Sequence, residues 1–292
     1  MPRRLLLLCM PALFFPLQTL AATSTPDVPS ATSTYARRDG EFSAALVMDA
    51  RTKKVLYAYQ ADLAWPAASL TKLMGALVFL DYRPSWNTIV SIKKQDEVGG
   101  GRLRVNSGAT MSVRDMLYSS ITASANNAAT ALARITLGRT AFVRAMNRKA
   151  AKLGLAETHF VDPSGISPKN VTTARDMAKL ALAAFSVDAI RRPATTASYR
   201  FKIRNTGEVK TLKSTNDLLI AEAYDDVFVT GGKTGFLYES AYNLAVRLKP
   251  LDPAKKLPNL LVVVFGSQTR ESSFESARSL ATWAWNGYTS SQ

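Results

Sequence analysis

The chain is poor in the two side chains that build most zinc centres and most acid–base triads. It has one cysteine and one histidine in 292 residues. That supply cannot make a Cys/His zinc cluster, so no metal and no cofactor is expected. A serine–histidine–acid triad would have to rest on His159 alone, and His159 reads as a polar residue near a turn. Cys9 lies in the apolar stretch Leu5 to Leu20, after Arg3 and Arg4 and before Thr19-Leu20-Ala21. Positive charge, an apolar run and then small residues form a secretory signal, expected to end after Ala21 or Ala22. The stretch contains Pro11 and Pro16 and is short for a spanning helix. Leu7 and Leu8 before Cys9 do not suit a lipid-attachment site. Without residues 1–21 the mature chain has no cysteine and no transmembrane segment. Disulfides cannot brace it, so its stability must come from its core, for which 47% hydrophobic residues suffice.

Negative charge is the next scarcity, with 22 acidic against 37 basic side chains and a formal net charge of +15. A basic surface favours anionic partners. For an exported protein these are wall material and anionic lipid head groups rather than nucleic acid, and much of the charge is simply solvated surface.

Residues 22–40 are small, polar and proline-containing and read as a flexible leader. Ser43 to Asp49 and Lys54 to Gln60 are β-prone runs around a turn at Asp49 to Thr52, a hairpin pattern. Pro66 suits a helix start, and the apolar run Leu70 to Leu80 can carry a helix into a core. Ser112 can cap a helix from Val113, with Met116, Leu117 and Ile121 on one face. Asn127 to Leu137, Thr140 to Leu153 and Thr173 to Phe185 read as further helices, so residues 80–195 form a mostly helical part. Tyr199 to Arg204 and Gly207 to Leu212 suggest a hairpin. Phe228 to Gly235, Tyr242 to Leu248 and Leu260 to Gly266 read as strands. Arg270 to Trp285 reads as a terminal amphipathic helix with Phe274, Ala277, Leu280, Ala281 and Trp285 inward. Strands at both ends with helices between and after them imply an α/β sandwich with an antiparallel sheet.

Chemistry concentrates at three places. In Ser69-Leu70-Thr71-Lys72 the serine and lysine are three apart, hence on one face of a helix. A serine needs a base to take its proton, and a lysine desolvated in an apolar face has a lowered pKa and can be that base. S-x-x-K alone also arises by chance. Here it is followed by Ser124-Ala125-Asn126 and then by Lys233-Thr234-Gly235. The order S-x-x-K, S-x-N, K-T-G is the signature of the penicillin-interactive serine enzymes. With Met146-Asn147, Lys152-Leu153-Gly154, Thr158-His159-Phe160, Pro163-Ser164-Gly165 and Thr173-Ala174-Arg175-Asp176, the chain resembles the D-alanyl-D-alanine carboxypeptidases and endopeptidases. These are the low-molecular-mass penicillin-binding proteins, and the chain looks nearer their endopeptidase branch. The resemblance covers roughly residues 40 to 290.

It implies a β-lactamase/transpeptidase-like α/β fold for residues 41–290, an antiparallel sheet flanked by helices with a helical subdomain. It also implies a periplasmic enzyme acting on peptidoglycan stem peptides, with β-lactams as covalent inhibitors. Ser69 would form the acyl-enzyme, Lys72 would take its proton, and Ser124 would relay a proton to the leaving amine beside Lys233. Asn126 suits either the substrate amide or the placing of Lys72. Lys233 and Thr234 would hold a terminal carboxylate on an edge strand, and Gly235 would leave room for backbone approach. The oxyanion hole would use the backbone N–H groups of Ser69 and Phe236. Arg270 reads as a solvated or helix-capping arginine, with assistance in carboxylate binding as the alternative. Some relatives continue into a second β-rich domain and an amphipathic anchor, and neither is expected here.

One departure is visible. Relatives often place Ala-Gly before the aromatic residue that follows K-T-G, whereas this chain has Ser240-Ala241, with Tyr238 and Glu239 in the same turn. Two other readings compete. A β-lactamase with this layout uses a Glu-x-x-x-Asn loop, but the only glutamate between Asn126 and Lys202 is Glu157, and Val161 stands where the asparagine would be. A non-catalytic penicillin- or wall-binding protein would have no need of Ser69, Lys72, Ser124 and Lys233 together.

Overall fold

In a computed structural model that describes residues 35–289 apart from 253 and 255, the apolar runs without polar alternation become the inner strands. The expected signal segment and residues 22–34 of the expected leader lie outside the described residues. Residues 35–40 lie against the fold. The Tyr35 ring meets Tyr57 and Trp283 edge-on, and the Arg37 guanidinium sits 4.5 Å above the centre of the Tyr59 ring.

In chain order the elements begin with β1 (Ala44–Asp49), β2 (Val55–Tyr59), β3 (Trp65–Pro66), a 3₁₀ turn over Ala68–Leu70, and α1 (Thr71–Asp81). Next come β4 (Ile89–Ser91), β5 (Thr110–Ser112), α2 (Val113–Ile121), α3 (Asn126–Thr136) and α4 (Arg139–Lys152). Then follow β6 (Val171–Thr172), α5 (Ala174–Phe185), α6 (Asp188–Ala194), β7 (Ser198–Lys202) and β8 (Val209–Lys213). The chain closes with β9 (Val227–Leu237), β10 (Ala241–Pro250), β11 (Leu260–Ser267) and α7 (Arg270–Thr289).

Five strands form one sheet in the order β2-β1-β11-β10-β9, and every neighbouring pair is antiparallel. Side chains alternate across a strand, and here both faces are covered. Leu46 of β1 and Val263 and Phe265 of β11 point into a core shared with α1 to α5. Ala45, Val47, Val262 and Val264 point the other way, against Phe274, Ala277, Leu280, Ala281 and Trp285 of α7. These five are the inward residues expected from the period of the terminal helix. Burying each large one contributes about 1.5–3 kcal/mol. β9 is left as a sheet edge, as expected for the strand that carries Lys233.

α1 is buried without a break from Thr71 to Phe79. A helix apolar all round is a core helix, and α2 to α6 pack around it. α2 starts in a capping box between Ser112 and Asp115. α3 begins at Asn126, one residue earlier than the apolar period indicates.

Two expectations are corrected. Pro66 does not start the helix. It sits in β3, paired with Val171, and its carbonyl accepts from the Asn243 side chain at 2.9 Å. A two-residue bridge can use a proline carbonyl without needing an N–H. α6 was not expected. It spans seven residues, includes Pro193 and buries only Ile190, Pro193 and Ala194, so it has no readable apolar period.

Candidate active site

Ser69 lies in the 3₁₀ turn at the mouth of α1, half-buried at the floor of a cleft of about 550 Å³. The turn places its hydroxyl over the first turn of α1, where Lys72 projects. The Lys72 Nζ is 2.7 Å from Ser69 Oγ, 2.7 Å from Asn126 Oδ1 and 2.6 Å from the Ser164 carbonyl oxygen. Lys72 is 1% exposed. Its pKa is held well below the ordinary lysine value, first by burial and then by the charge of Lys233, against an opposing pull from Asp162. An ammonium could donate to all three oxygens. A neutral amine can donate its two N–H groups to Asn126 and Ser164 and turn its lone pair to the Ser69 hydroxyl proton. Burial and a second nearby cation favour the neutral form.

Asn126 stands at the start of α3, fixed by its own backbone N–H donating to the Gly101 carbonyl at 2.7 Å. Its side-chain Nδ2 donates to the Gly99 carbonyl at 2.9 Å. Of the two roles open to it, this geometry carries out the holding of Lys72. Ser124 occupies the link between α2 and α3 with φ +58°, a left-handed conformation that costs a non-glycine residue roughly 1–3 kcal/mol. In that conformation its Oγ receives a hydrogen bond from Lys233 Nζ at 2.9 Å.

Lys233 comes from β9, the sheet edge, and also donates to the Thr234 carbonyl at 2.9 Å. Burial pushes its pKa down to about 7. Thr234 shares a hydrogen bond of 2.6 Å with the hydroxyl of Thr215. Arg270 donates to the Thr215 carbonyl at 3.0 Å and to Asp217 Oδ1 at 2.6 Å, and it lines the same cleft. It is thus a cleft residue as well as a partner of Asp217. β9 crosses the Ser69 turn so closely that a side chain on Gly235 would lie 3.1 Å from the Ala68 Cβ and 3.3 Å from the Ser69 nitrogen. Glycine there keeps the Ser69 and Phe236 backbones adjacent. The structure therefore brings Ser69, Lys72, Ser124, Asn126, Lys233, Thr234, Gly235 and Phe236 into one site. His159 stands apart from it, paired with Val171 through its backbone.

The loop from Phe160 to Asn170 is a functional element that residue patterns did not single out. Asp162 is its hub. Its Oδ1 accepts from the Ser164 N–H at 2.8 Å, the Ser164 hydroxyl at 2.7 Å and the Gly165 N–H at 2.7 Å. Its Oδ2 accepts from the Ser167 N–H at 3.0 Å and from Asn170 Nδ2 at 2.8 Å. Burial alone would raise this carboxyl, but those hydrogen bonds hold it below the usual range. Asn147 clamps the start of the loop, exchanging 2.8 Å bonds with both backbone groups of Phe160. Pro163-Ser164-Gly165, quoted above only as a resemblance, delivers the Ser164 carbonyl to Lys72. Gly165 has φ +82° and packs directly on the Ala68 carbonyl. Thr173, Arg175 and Asp176 are structural. Thr173 caps α5 through the Asp176 N–H, and Arg175 pairs with Asp62 at 2.7 Å.

Comparison with known proteins agrees with this geometry. Residues 31–269 match the D-alanyl-D-alanine carboxypeptidase family. A D-alanyl-D-alanine endopeptidase of Pseudomonas aeruginosa is 34% identical over 286 residues, covering 96% of this chain and 89% of that protein. One of Escherichia coli is 34% identical over 263 residues, covering 88% and 82%. Among solved structures, a Streptomyces DD-transpeptidase superposes with TM-score 0.77 and 26% identity over 84% of this chain and 97% of its own. A D-alanyl-D-alanine carboxypeptidase of Mycobacterium tuberculosis gives 0.75 and 25% over 85% and 92%. An antiparallel sheet between a terminal helix and a helical subdomain is the architecture these enzymes share with this protein, and the chain belongs to the D-alanyl-D-alanine carboxypeptidase family of serine peptidases.

Proposed function

We propose that this protein is a D,D-endopeptidase of the cell wall, cutting D-alanyl bonds in cross-linked peptidoglycan stem peptides through an acyl-enzyme on Ser69. The observation that carries the catalytic part is Lys72, buried and bonded at once to Ser69, Asn126 and Ser164. The endopeptidase preference rests on the similarity to the D-alanyl-D-alanine endopeptidases of Pseudomonas aeruginosa and Escherichia coli.

The reaction follows from the hydrogen bonds. Lys72 accepts the Ser69 proton as Oγ bonds to the D-alanyl carbonyl carbon. The Ser69 and Phe236 N–H groups receive the oxyanion, each such donor stabilising the transition state by roughly 3 kcal/mol. Ser124 passes its proton to the departing amine beside Lys233 and takes one in turn from Lys72, which returns to the neutral form. The C–N bond breaks and leaves the ester on Ser69. Water then attacks the ester, Lys72 takes one proton, and Ser69 leaves with its hydrogen restored. The substrate lies as an added strand along the free edge of β9. Its carboxylate end lies toward Lys233, Thr234 and Thr215. β-Lactams acylate the same serine.

Residues 1–21 act as the export signal and the residues after them as a leader up to residue 34, while residues 35–40 pack on the peptidase domain, which works in the periplasm. Among the described residues no helix is long and apolar enough to cross a membrane. The test is mass spectrometry of cross-linked peptidoglycan digested with the wild type and with Ser69→Ala. Conversion of dimers to monomers by the wild type only is the expected result. Trimming of terminal D-alanine with dimers untouched would make it a carboxypeptidase, and no change with either would remove the peptidase reading.

A further inference from the structure

We infer that Glu239 selects substrates that carry a free amine on the diamino residue just before the scissile D-alanine. This inference rests on the D,D-peptidase reading and adds to it a determinant on the acyl side of the cleft. Only two charged side chains line the cleft among the described residues, Arg270 and Glu239. Arg270 is neutralised by Asp217 at 2.6 Å. Glu239 is exposed at the tip of the β9–β10 hairpin, and among the described residues no hydrogen bond or ion pair engages its carboxylate. A basic protein of net charge +15 therefore presents a lone carboxylate at the rim of its cleft.

Its position along the strand identifies what it can meet. If the carboxylate end of the substrate lies toward Lys233 and Thr234, the acyl side runs antiparallel to β9, toward Leu237 and the hairpin tip. Phe236 stands opposite the scissile carbonyl, and Glu239 is three residues beyond it, in the turn that follows Leu237. Three residues span at most about 10 Å. A diamino side chain one residue before the D-alanine places its terminal nitrogen about that far from the reacting carbon, from chain lengths alone.

The surface between the two points is aromatic. Phe236 and Tyr238 are 45% and 95% exposed, with ring centres 5.6 Å apart, and Tyr242 packs on Phe236 at 4.6 Å. The methylenes of a diamino side chain can lie on these rings while its nitrogen reaches the carboxylate. Covering the aromatic rim with substrate removes water from the pair and strengthens it relative to an ordinary surface ion pair.

The test compares two synthetic cross-linked peptides, in each of which a lysyl-D-alanine is joined through its carboxyl group to the side-chain amine of a second peptide, one with the ε-amine of that lysine free and one with it acetylated. The readout is the ratio of their kcat/KM values. In the wild type the free-amine peptide is expected to be preferred by about fivefold at low salt, the ratio shrinking as ionic strength rises. In Glu239→Gln the ratio falls to about one, and in Glu239→Lys a succinylated amine becomes the preferred form. Turnover of both peptides by the wild type with a ratio near one overturns this inference and leaves the peptidase reading standing. So does an unchanged ratio in both variants. Absence of turnover of either peptide overturns the peptidase reading and this inference with it.

Discussion

Gly165→Ala tests whether the Asp162 loop sets the aim of the nucleophile or merely fills space. A methyl group on Gly165 would lie 1.9 Å from the Ala68 carbonyl oxygen, 2.5 Å from its carbon and 3.0 Å from the Ser69 nitrogen. Such contacts essentially never fall below 3.0 Å, so the two backbones must part by about 1 Å. Neither can yield freely. Gly165 is tied to the buried Asp162, and the Ser69 turn is wedged under Gly235. The φ of +82° adds strain of about 1–2 kcal/mol for alanine. With overpacking of about 1–3 kcal/mol, the expected loss is about 2–5 kcal/mol, or a Tm lower by roughly 4–20 °C. The catalytic loss is the sharper signal. Moving Ser69 by about 1 Å relative to Lys72 and the oxyanion donors should slow acylation by a labelled penicillin about 100-fold. Gly154→Ala is the control. Its φ is +67° but no atom lies within 4 Å of the added carbon, so it carries the backbone strain without the clash. It should lower the Tm slightly and keep its acylation rate. A folded Gly165→Ala protein that acylates within about threefold of the wild type refutes the reasoning.

Two further outcomes follow from the backbone and the buried cations. Ala241, in the place where relatives often have glycine, adopts φ +48°. Ala241→Gly should raise stability by about 0.5–1 kcal/mol, read as a Tm increase of a few degrees, and an unchanged or lower Tm would mean the turn is not strained. Lys233 is buried with a pKa pushed down to about 7, against an ordinary lysine value of 10.5. Between those values the unfolded chain holds a proton that the folded protein has released, so stability rises with pH across that window. Below about pH 7 both states are protonated and this dependence vanishes. Melts from pH 7 to 9.5 should show a shallower rise for Lys233→Met than for the wild type, though not a flat one, because the Lys72 pKa is also lowered. An equal slope in the two proteins would place Lys233 outside the buried site.

The parts that were legible in the sequence are those written in a repeating or ordered pattern. β1 and β11 could be found because both faces of these strands are buried, so no polar residue interrupts them. α7 could be found because its inner residues recur at helical spacing. The three motifs could be found because their order is restrictive even though each is short. The Asp162 loop has no such mark. Its stability comes from hydrogen bonds between a buried carboxylate and backbone N–H groups, and nothing in a string of Asp, Pro, Ser and Gly distinguishes that from an exposed turn. Ser164 was unassignable for a related reason, since it reaches Lys72 through its carbonyl oxygen, a group every residue possesses. The role of Asn126 needed coordinates because its amide could equally have faced the substrate or Lys72.

The same geometry bears on why such a site would remain acylated by a β-lactam and yet turn over a peptide. Release of the ester needs water on the carbonyl and a base to take a proton from it. Glu157, the one glutamate in the region where a β-lactamase loop would carry its base, has its backbone N–H on Asp176 at the start of α5 and is not among the residues that line the cleft. Glu239 does line the cleft, but at the exposed tip of a hairpin. Lys72 is then the remaining base within hydrogen-bond reach of the Ser69 oxygen, at 2.7 Å. With a peptide substrate the leaving amine diffuses away after the C–N bond breaks, and water can enter the space beside Lys72 and Ser124. With a β-lactam the amine stays joined to the acyl group through the opened ring and keeps that space filled. In the proposed mechanism one lysine therefore serves both half-reactions for the peptide and only the first for the drug. Long-lived labelling of Ser69 by penicillin beside multiple turnover of cross-linked peptide is the expected combination, and rapid release of hydrolysed penicillin would require a base that the cleft as described does not contain.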